Sequence, residues 1–266
     1  MRLVLKVARI TAHHAEYGPG FARAVAELIQ DGHFLIVIHG SRPILKPYPA
    51  NASGNGCHAG AAEDEEFSAI ERENRVLVSL LAEAKTAGIG LCATDAGLIQ
   101  LRKPHAVNGG TGISVEAARM HSRWPEIICT NKGVPVVSNL ACWAGEGHYI
   151  LDPDQMAAVC AVDWNADALI YITEEDGVPG EQGGILRWFD INSNSASEAG
   201  LSDEMRSRLQ GCAMALKRGV WRVRILPLSN VDCLSSFYFS SINYGTEIIA
   251  GNSHVEKSMA ATIRQP

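Results

Sequence analysis

One lysine, one aspartate and several glycine-bearing turns are the residues of this chain whose types and spacing could do chemistry. Lys6 lies near the end of Leu3–Val7, an apolar run that reads as a strand, so its ammonium is delivered to a strand terminus. Asp154 stands at a predicted helix start. Asp152 can cap that helix, Pro153 suits its first position because it has no N–H to lose, and Asp154 falls in the first turn. There the helix dipole favours a negative charge. Thr173-Glu174-Glu175-Asp176-Gly177 leaves the apolar run Ala168–Ile172 at its carboxyl end, where open α/β sheets place their ligands. Backbone N–H groups in such turns and at helix starts bind anions. Phosphoryl transfer needs mostly positioning and positive charge around a loosely held phosphoryl group. A lysine, glycine turns and an acid to hold the cations meet that need. Each piece alone has a plainer use: an isolated Asp stabilises a helix start, and a lone Lys on a strand faces solvent. No GxxxxGK[ST] loop, no GxGxxG after a strand and no GxSxG elbow occurs.

The elements that must position these residues follow from periodicity and punctuation. Leu3–Val7, Phe34–Ile38, Gly88–Cys92, Val134–Leu140, Ala168–Ile172, Val220–Leu226 and Thr246–Ala250 read as strands. Helices are expected over Gly18–Gln30, Glu63–Lys85, Trp124–Asn131 and Leu201–Lys217, with a short one over Val231–Phe239. The helix starting at Pro153 shows an apolar face of Met156, Ala157, Val159 and Cys160. Residues 44–62, rich in Pro, Ala, Asn and Gly, read as a long loop, and Gly145-Glu146-Gly147 as a hairpin turn. Alternating strands and helices predict an α/β fold with a mainly parallel sheet covered on both faces.

Composition bounds the rest. The chain has 266 residues and 47% hydrophobic residues, enough for one large α/β core and too many for disorder. Its net charge is -6 with no basic face or arm, which argues against a nucleic-acid partner. No apolar run is long enough to cross a membrane, and MRLVLKVARI turns polar too soon for a signal peptide. Seven scattered Cys with no CxxC pair read as reduced thiols in a cytoplasmic protein, and no metal site is expected. His13, His14 and His39 lack ligand partners at useful spacing and read as solvated or packing residues.

Taken in order, these segments resemble the amino acid kinase family, most closely the acetylglutamate kinases, over almost the whole length. LVLKV is similar to the family's first strand and lysine, and FLIVIHGSRP to its second strand and HGGG-type turn. YILDPDQMAAVCAVDWNADALIYITEEDGV resembles YNINAD…ALGA…LILLTDVPGV. GLSDEMRSRLQGCAMALKRGVWRVRIL resembles the GGM…K helix and following strand, and GTEII the closing strand.

The resemblance implies a three-layer α/β/α sandwich forming a single domain over 1–266. Its first half, about 1–150, would hold the acid and the dimer contact, and its second, about 151–266, the nucleotide. It implies ATP-dependent phosphorylation of a small carboxylic acid, N-acetyl-L-glutamate to its 5-phosphate, with Mg2+ carried by the nucleotide. It also implies a homodimer or larger homo-oligomer and a role in arginine biosynthesis. Lys6, Asp154 and Arg208 take the catalytic positions, Arg208 standing where the family has lysine. Thr173, Glu174 and Gly177 join Lys6 and Arg208 on the nucleotide side, and Gly40, Ser41 and Arg42 lie on the acid side. Four departures accompany the match. Ala8-Arg9 and Ser41-Arg42 replace glycines. The substrate-clamping arginine, expected near Asn55, has no counterpart between 43 and 71, and Ile150 replaces an asparagine. Two further readings therefore stand beside the first: a catalytically silent relative serving as a binding or regulatory subunit, and a kinase for another acid read by Arg42 or Arg9.

Overall fold

The computed structural model describes residues 1–10, 15–42, 46–47, 61–102, 105–107, 112–143, 147–180, 183–192, 200–234 and 244–251. The expectations for His13, His14, Asn55 and most of the 44–62 loop lie outside these residues.

Among the described residues an eight-stranded sheet carries the fold. Its strands are β1 (Arg2–Val7), β2 (Phe34–His39), β3 (Ala87–Cys92), β4 (Gly133–Ser138), β5 (Ala168–Thr173), β6 (Trp188–Asp190), β7 (Arg222–Pro227) and β8 (Thr246–Ile249). The spatial order is β6-β8-β7-β5-β1-β2-β4-β3. Every neighbouring pair is parallel except β7 with β8. β1 sits centrally, and the chain runs to β2 on one side and later to β5 on the other. That makes the β1–β5 boundary a topological switch point, where such sheets open a crevice at their carboxyl ends.

The sheet is covered by helices on both faces, as its continuous apolar strands require. Helices α1 (Gly18–Gln30) and α2 (Ala61–Glu83) lie on one face. There Phe21, Val25, Leu28, Leu77 and Leu81 pack with Leu3, Leu5, Val7, Leu35 and Val37. Helices α3 (Arg123–Thr130), α4 (Pro153–Asp163) and α5 (Asp203–Lys217) lie on the other. Val4, Ile36, Leu169, Tyr171, Val223 and Ile225 meet them. The period-2 alternation of β1 sends Lys6 to the same side as Val4, towards α4.

Three local readings are revised. The apolar face expected on α4 is not a face: every residue from Met156 to Val162 is buried, because α5, the sheet and the short strand Ala117–Met120 surround the helix. The single strand expected over Val134–Leu140 breaks at Asn139. It resumes as Leu140–Trp143, antiparallel to Gly147–Ile150, while Gly145 and Glu146 of the expected turn lie outside the described residues. Of the short helix expected over Val231–Phe239, Val231–Cys233 belong to a 3-10 turn that starts at Leu228, and residues 235–239 lie outside the described residues.

Candidate active site

The carboxyl ends of β1, β2 and β5 and the first turns of α4 and α5 enclose a cleft of about 630 Å³, within the range of small-ligand sites. On its floor the Lys6 Nζ lies 3.0 Å from Asp154 Oδ1, and Arg208 Nε lies 3.2 Å from Asp154 Oδ2. All three are at least nine-tenths buried. One carboxylate thus holds two cations, one from the central strand and one from the second helix turn of α5.

Local sequence explains each placement. Asp152 caps α4, its Oδ1 accepting from the Asp154 and Gln155 amides at 2.9 and 3.0 Å, so Asp154 is held in the first turn. The other Asp152 oxygen accepts from Ser207 Oγ at 2.8 Å, tying α4 to α5 beside Arg208. The buried Tyr171 hydroxyl donates to the Asp154 carbonyl at 3.0 Å. Burial, then the neighbouring Cys212 and Asp154, push the Tyr171 pKa well up, so it stays a neutral donor. Gly211 lets α5 approach α4: a Cβ there would lie 2.8 Å from the Tyr171 oxygen and 3.2 Å from the Asp154 carbonyl oxygen.

Sequence reasoning missed Glu175. Arg208 Nη1 bonds the Glu175 carboxylate, not that of Glu174, which lines the cleft without making that bond. Thr173 Oγ1 donates to the Glu175 carbonyl at 2.8 Å, folding the turn back after β5. Burial pulls the Arg208 pKa down, but Asp154 and Glu175 outweigh it and the pKa is raised. Gly177 lies apart from the cleft lining. Its φ of +146° and its closeness to Thr246 Oγ1 show a backbone position that no side chain would fit.

The Ala8-Arg9 turn is a tether rather than an open glycine cradle. Arg9 Nη1 meets Glu66 Oε1 of α2 at 2.9 Å, and the Ile10 amide donates to the buried Glu73 at 2.8 Å. Arg42 crosses to Glu204 of α5, Nε to Oε1 at 2.8 Å. Gly40 retains the positive φ of a glycine turn at +145°, and Asn139 packs where its Cβ would be. Asn139 Nδ2 donates to both the Ser41 and Leu151 carbonyls, joining the β2 turn to the entry of α4. Ile150 packs beside Ile70 and Leu140, which is why an apolar residue occupies that position. His39 is fully buried next to the cleft floor. Burial, then Lys6 and Arg9, lower its pKa to about 3, so it is neutral. Its Nε2 lies 2.8 Å from Asn74 Nδ2, which also donates to the Val136 carbonyl. It is a packing histidine. Trp164 is fully buried and donates to Glu126, whereas Trp188 is exposed. Among the described residues with side chains there is no cluster of metal-ligating groups.

A central, mainly parallel sheet with a Lys–Asp–Arg cluster at its switch point defines an α/β protein with a charged cleft at the carboxyl ends of its strands. The chain belongs to the amino acid kinase family, whose model matches residues 17–227. It is 31% identical to the acetylglutamate kinase of Acidobacterium capsulatum over 261 residues, covering 94% of this chain and 100% of that protein. It is 29% identical to the acetylglutamate kinase of Koribacter versatilis, covering 94% and 99%. The fold is shared with solved structures of lower identity. The N-acetylglutamate synthase of Neisseria gonorrhoeae superposes at a TM-score of 0.72 with 18% identity, over 94% of this chain and 60% of that one. The T. acidophilum isopentenyl phosphate kinase superposes at 0.62 with 15% identity, over 94% and 100%.

Proposed function

We propose that this chain transfers the γ-phosphoryl group of ATP to the carboxylate of a small acid, N-acetyl-L-glutamate being the first candidate, to give an acyl phosphate. The observation that carries the proposal is the buried Lys6–Asp154–Arg208 cluster at the open end of the sheet. The family and the names of its relatives support it.

In this reading Lys6 and Arg208 neutralise charge on the group in transit, and Asp154 fixes their spacing. Gly40 offers a backbone N–H, and Ser41 and Arg42 receive the acid. Thr173 and Glu174 shape the nucleotide side, and Gly177 sets the turn behind them, outside the lining. Four basic and six acidic side chains line the cleft, so a polyphosphate fits when a divalent cation offsets its charge. Mg2+ carried by the nucleotide would supply that offset and polarise the phosphate oxygens. A homo-oligomer belongs to the same reading. Exposed Ile89 on the edge strand β3 and Trp124 and Ile127 on α3 support it.

One observation favours a second reading. Lys6, Arg9, Arg42 and Arg208 are each paired with an acid of the chain itself. A catalytically silent binding or regulatory subunit could keep such a self-satisfied cleft. Coupled ADP release with Mg-ATP across a panel of small carboxylic acids separates the readings. Turnover with acetylglutamate, lost in Lys6→Ala, supports the first. Turnover with another acid alone moves the substrate. No turnover with any acid, while nucleotide still binds, supports the second.

A further inference from the structure

We infer that Arg42 is a releasable oxyanion clamp and that Glu204 is its built-in place-holder. The inference rests in part on the proposed phosphotransfer, because that reading is what brings a carboxylate and a phosphate into the cleft.

Three arginines face the cleft, and each is held by a glutamate. The pairs differ in exposure. Arg208 and Glu175 have side chains 7% and 36% exposed, and Arg9 and Glu66 are 28% and 25% exposed. Arg42 and Glu204 are each 52% exposed. A buried pair resists separation because a lone charge would be stranded away from water. An exposed pair adds little to stability and exchanges readily with another anion. Arg42 is therefore the guanidinium that an incoming ligand can take over at least cost.

Position makes the exchange consequential. Arg42 follows Gly40 and Ser41 on the β2 turn, whereas Glu204 sits in the first turn of α5, one helical turn before Arg208. The pair thus spans the cleft between its two sides. Asp203, next to Glu204, is already engaged by Arg206 at 2.5 Å. When a ligand oxyanion displaces Glu204, the planar fork of Arg42 grips it with two parallel N–H groups, as guanidinium does with carboxylate or phosphate. Arg42 then supplies an oxyanion clamp of a kind that no arginine between 43 and 71 provides. Glu204 is a positioning residue that acts only through Arg42.

The ligand chemistry is an oxyanion, and two sources meet it: the acid's carboxylate and the nucleotide's phosphate. Equilibrium binding of N-acetyl-L-glutamate, inorganic phosphate and Mg-ATP is measured by calorimetry on the full chain. The proteins compared are wild type, Arg42→Ala, Glu204→Gln and the double variant. Circular dichroism first checks that each is folded. Glu204→Gln should tighten one of the three ligands about threefold. Arg42→Ala should weaken the same ligand about tenfold, and the double variant should match Arg42→Ala. That ligand identifies the source. Unchanged binding of all three in both single variants overturns the clamp, as does tightening by Glu204→Gln that persists in the double variant. Failure of the two ideas is distinguishable. Clamp-dependent binding without turnover sinks the phosphotransfer reading alone, and turnover with unchanged binding sinks the clamp alone.

Discussion

The Tyr171 hydroxyl, rising from the middle of a buried strand, donates a 3.0 Å hydrogen bond to the backbone carbonyl of Asp154. Sheet and helix are thereby locked together directly beneath the carboxylate that gathers Lys6 and Arg208.

That bond should matter more to turnover than to stability. Tyr171→Phe removes one donor and keeps the ring packing, a loss of about 1 kcal/mol. The Asp154 turn loses its anchor, so kcat should fall about tenfold with little change in KM. Chemical denaturation and steady-state kinetics on the same preparation measure both. A stability loss with unchanged kcat would reduce Tyr171 to a packing role.

Gly211 tests how close the two helices must come. Glycine inside a helix costs about 1 kcal/mol relative to alanine, so Gly211→Ala should help α5 in isolation. In the fold its methyl would press on the Tyr171 oxygen and the Asp154 carbonyl. The net effect should be destabilising by about 1–3 kcal/mol, as overpacking generally is. Thermal melts decide the sign, and a raised Tm would show that α5 can move away freely.

The three-charge cluster predicts an unequal response to removing its members. Asp154→Asn leaves Lys6 and Arg208 buried, like-charged and without their shared acid, costing about 3–5 kcal/mol. Lys6→Met leaves Asp154 with Arg208 as partner and should cost less. Both should lower ADP release by at least about a hundredfold. Urea titrations that rank Lys6→Met as the more destabilising would contradict the shared-acid geometry.

His39 predicts an acid limb in stability. Its folded pKa of about 3 lies below the ordinary 6.5, so the folded state resists protonation that the unfolded chain accepts. The stabilisation is fully present above pH 6.5 and is lost as pH falls towards about 3. The slope is about 1.4 kcal/mol for each pH unit in that window. His39→Gln should flatten the slope of denaturation free energy between pH 6 and pH 4. An unchanged slope would show that His39 charges freely in the folded protein.

Much of the scaffold was legible because its signals are short-range. The capped start at Asp152 and Pro153 places Asp154 in the first turn by local hydrogen bonding alone. The helix over Gly18–Gln30 has the bounds that its periodicity predicts, closed by Gly32 at φ +83°. The α4 face was misread because the helix is buried all round, and periodicity reports only contrast between faces. A motif match counts positions and so points to Glu174, whereas the turn decides that Glu175 meets Arg208. Asn139 carried no motif at all. Its role appears only where the β2 turn and the entry to α4 meet.

By itself, the sequence determined the order of the main strands and helices and the delivery of Lys6 and Asp154 to element ends. Alternation, helix periodicity and capping act over a few residues, and they survive without knowledge of what packs against what. The tertiary structure alone decided the pairings: Arg208 with Asp154 and Glu175, Arg9 with Glu66, and Arg42 with Glu204. Those depend on strand order, on how near Gly211 lets two helices approach, and on the height at which each helix meets the sheet. Such distances arise from packing the whole chain and are written in no local stretch of it.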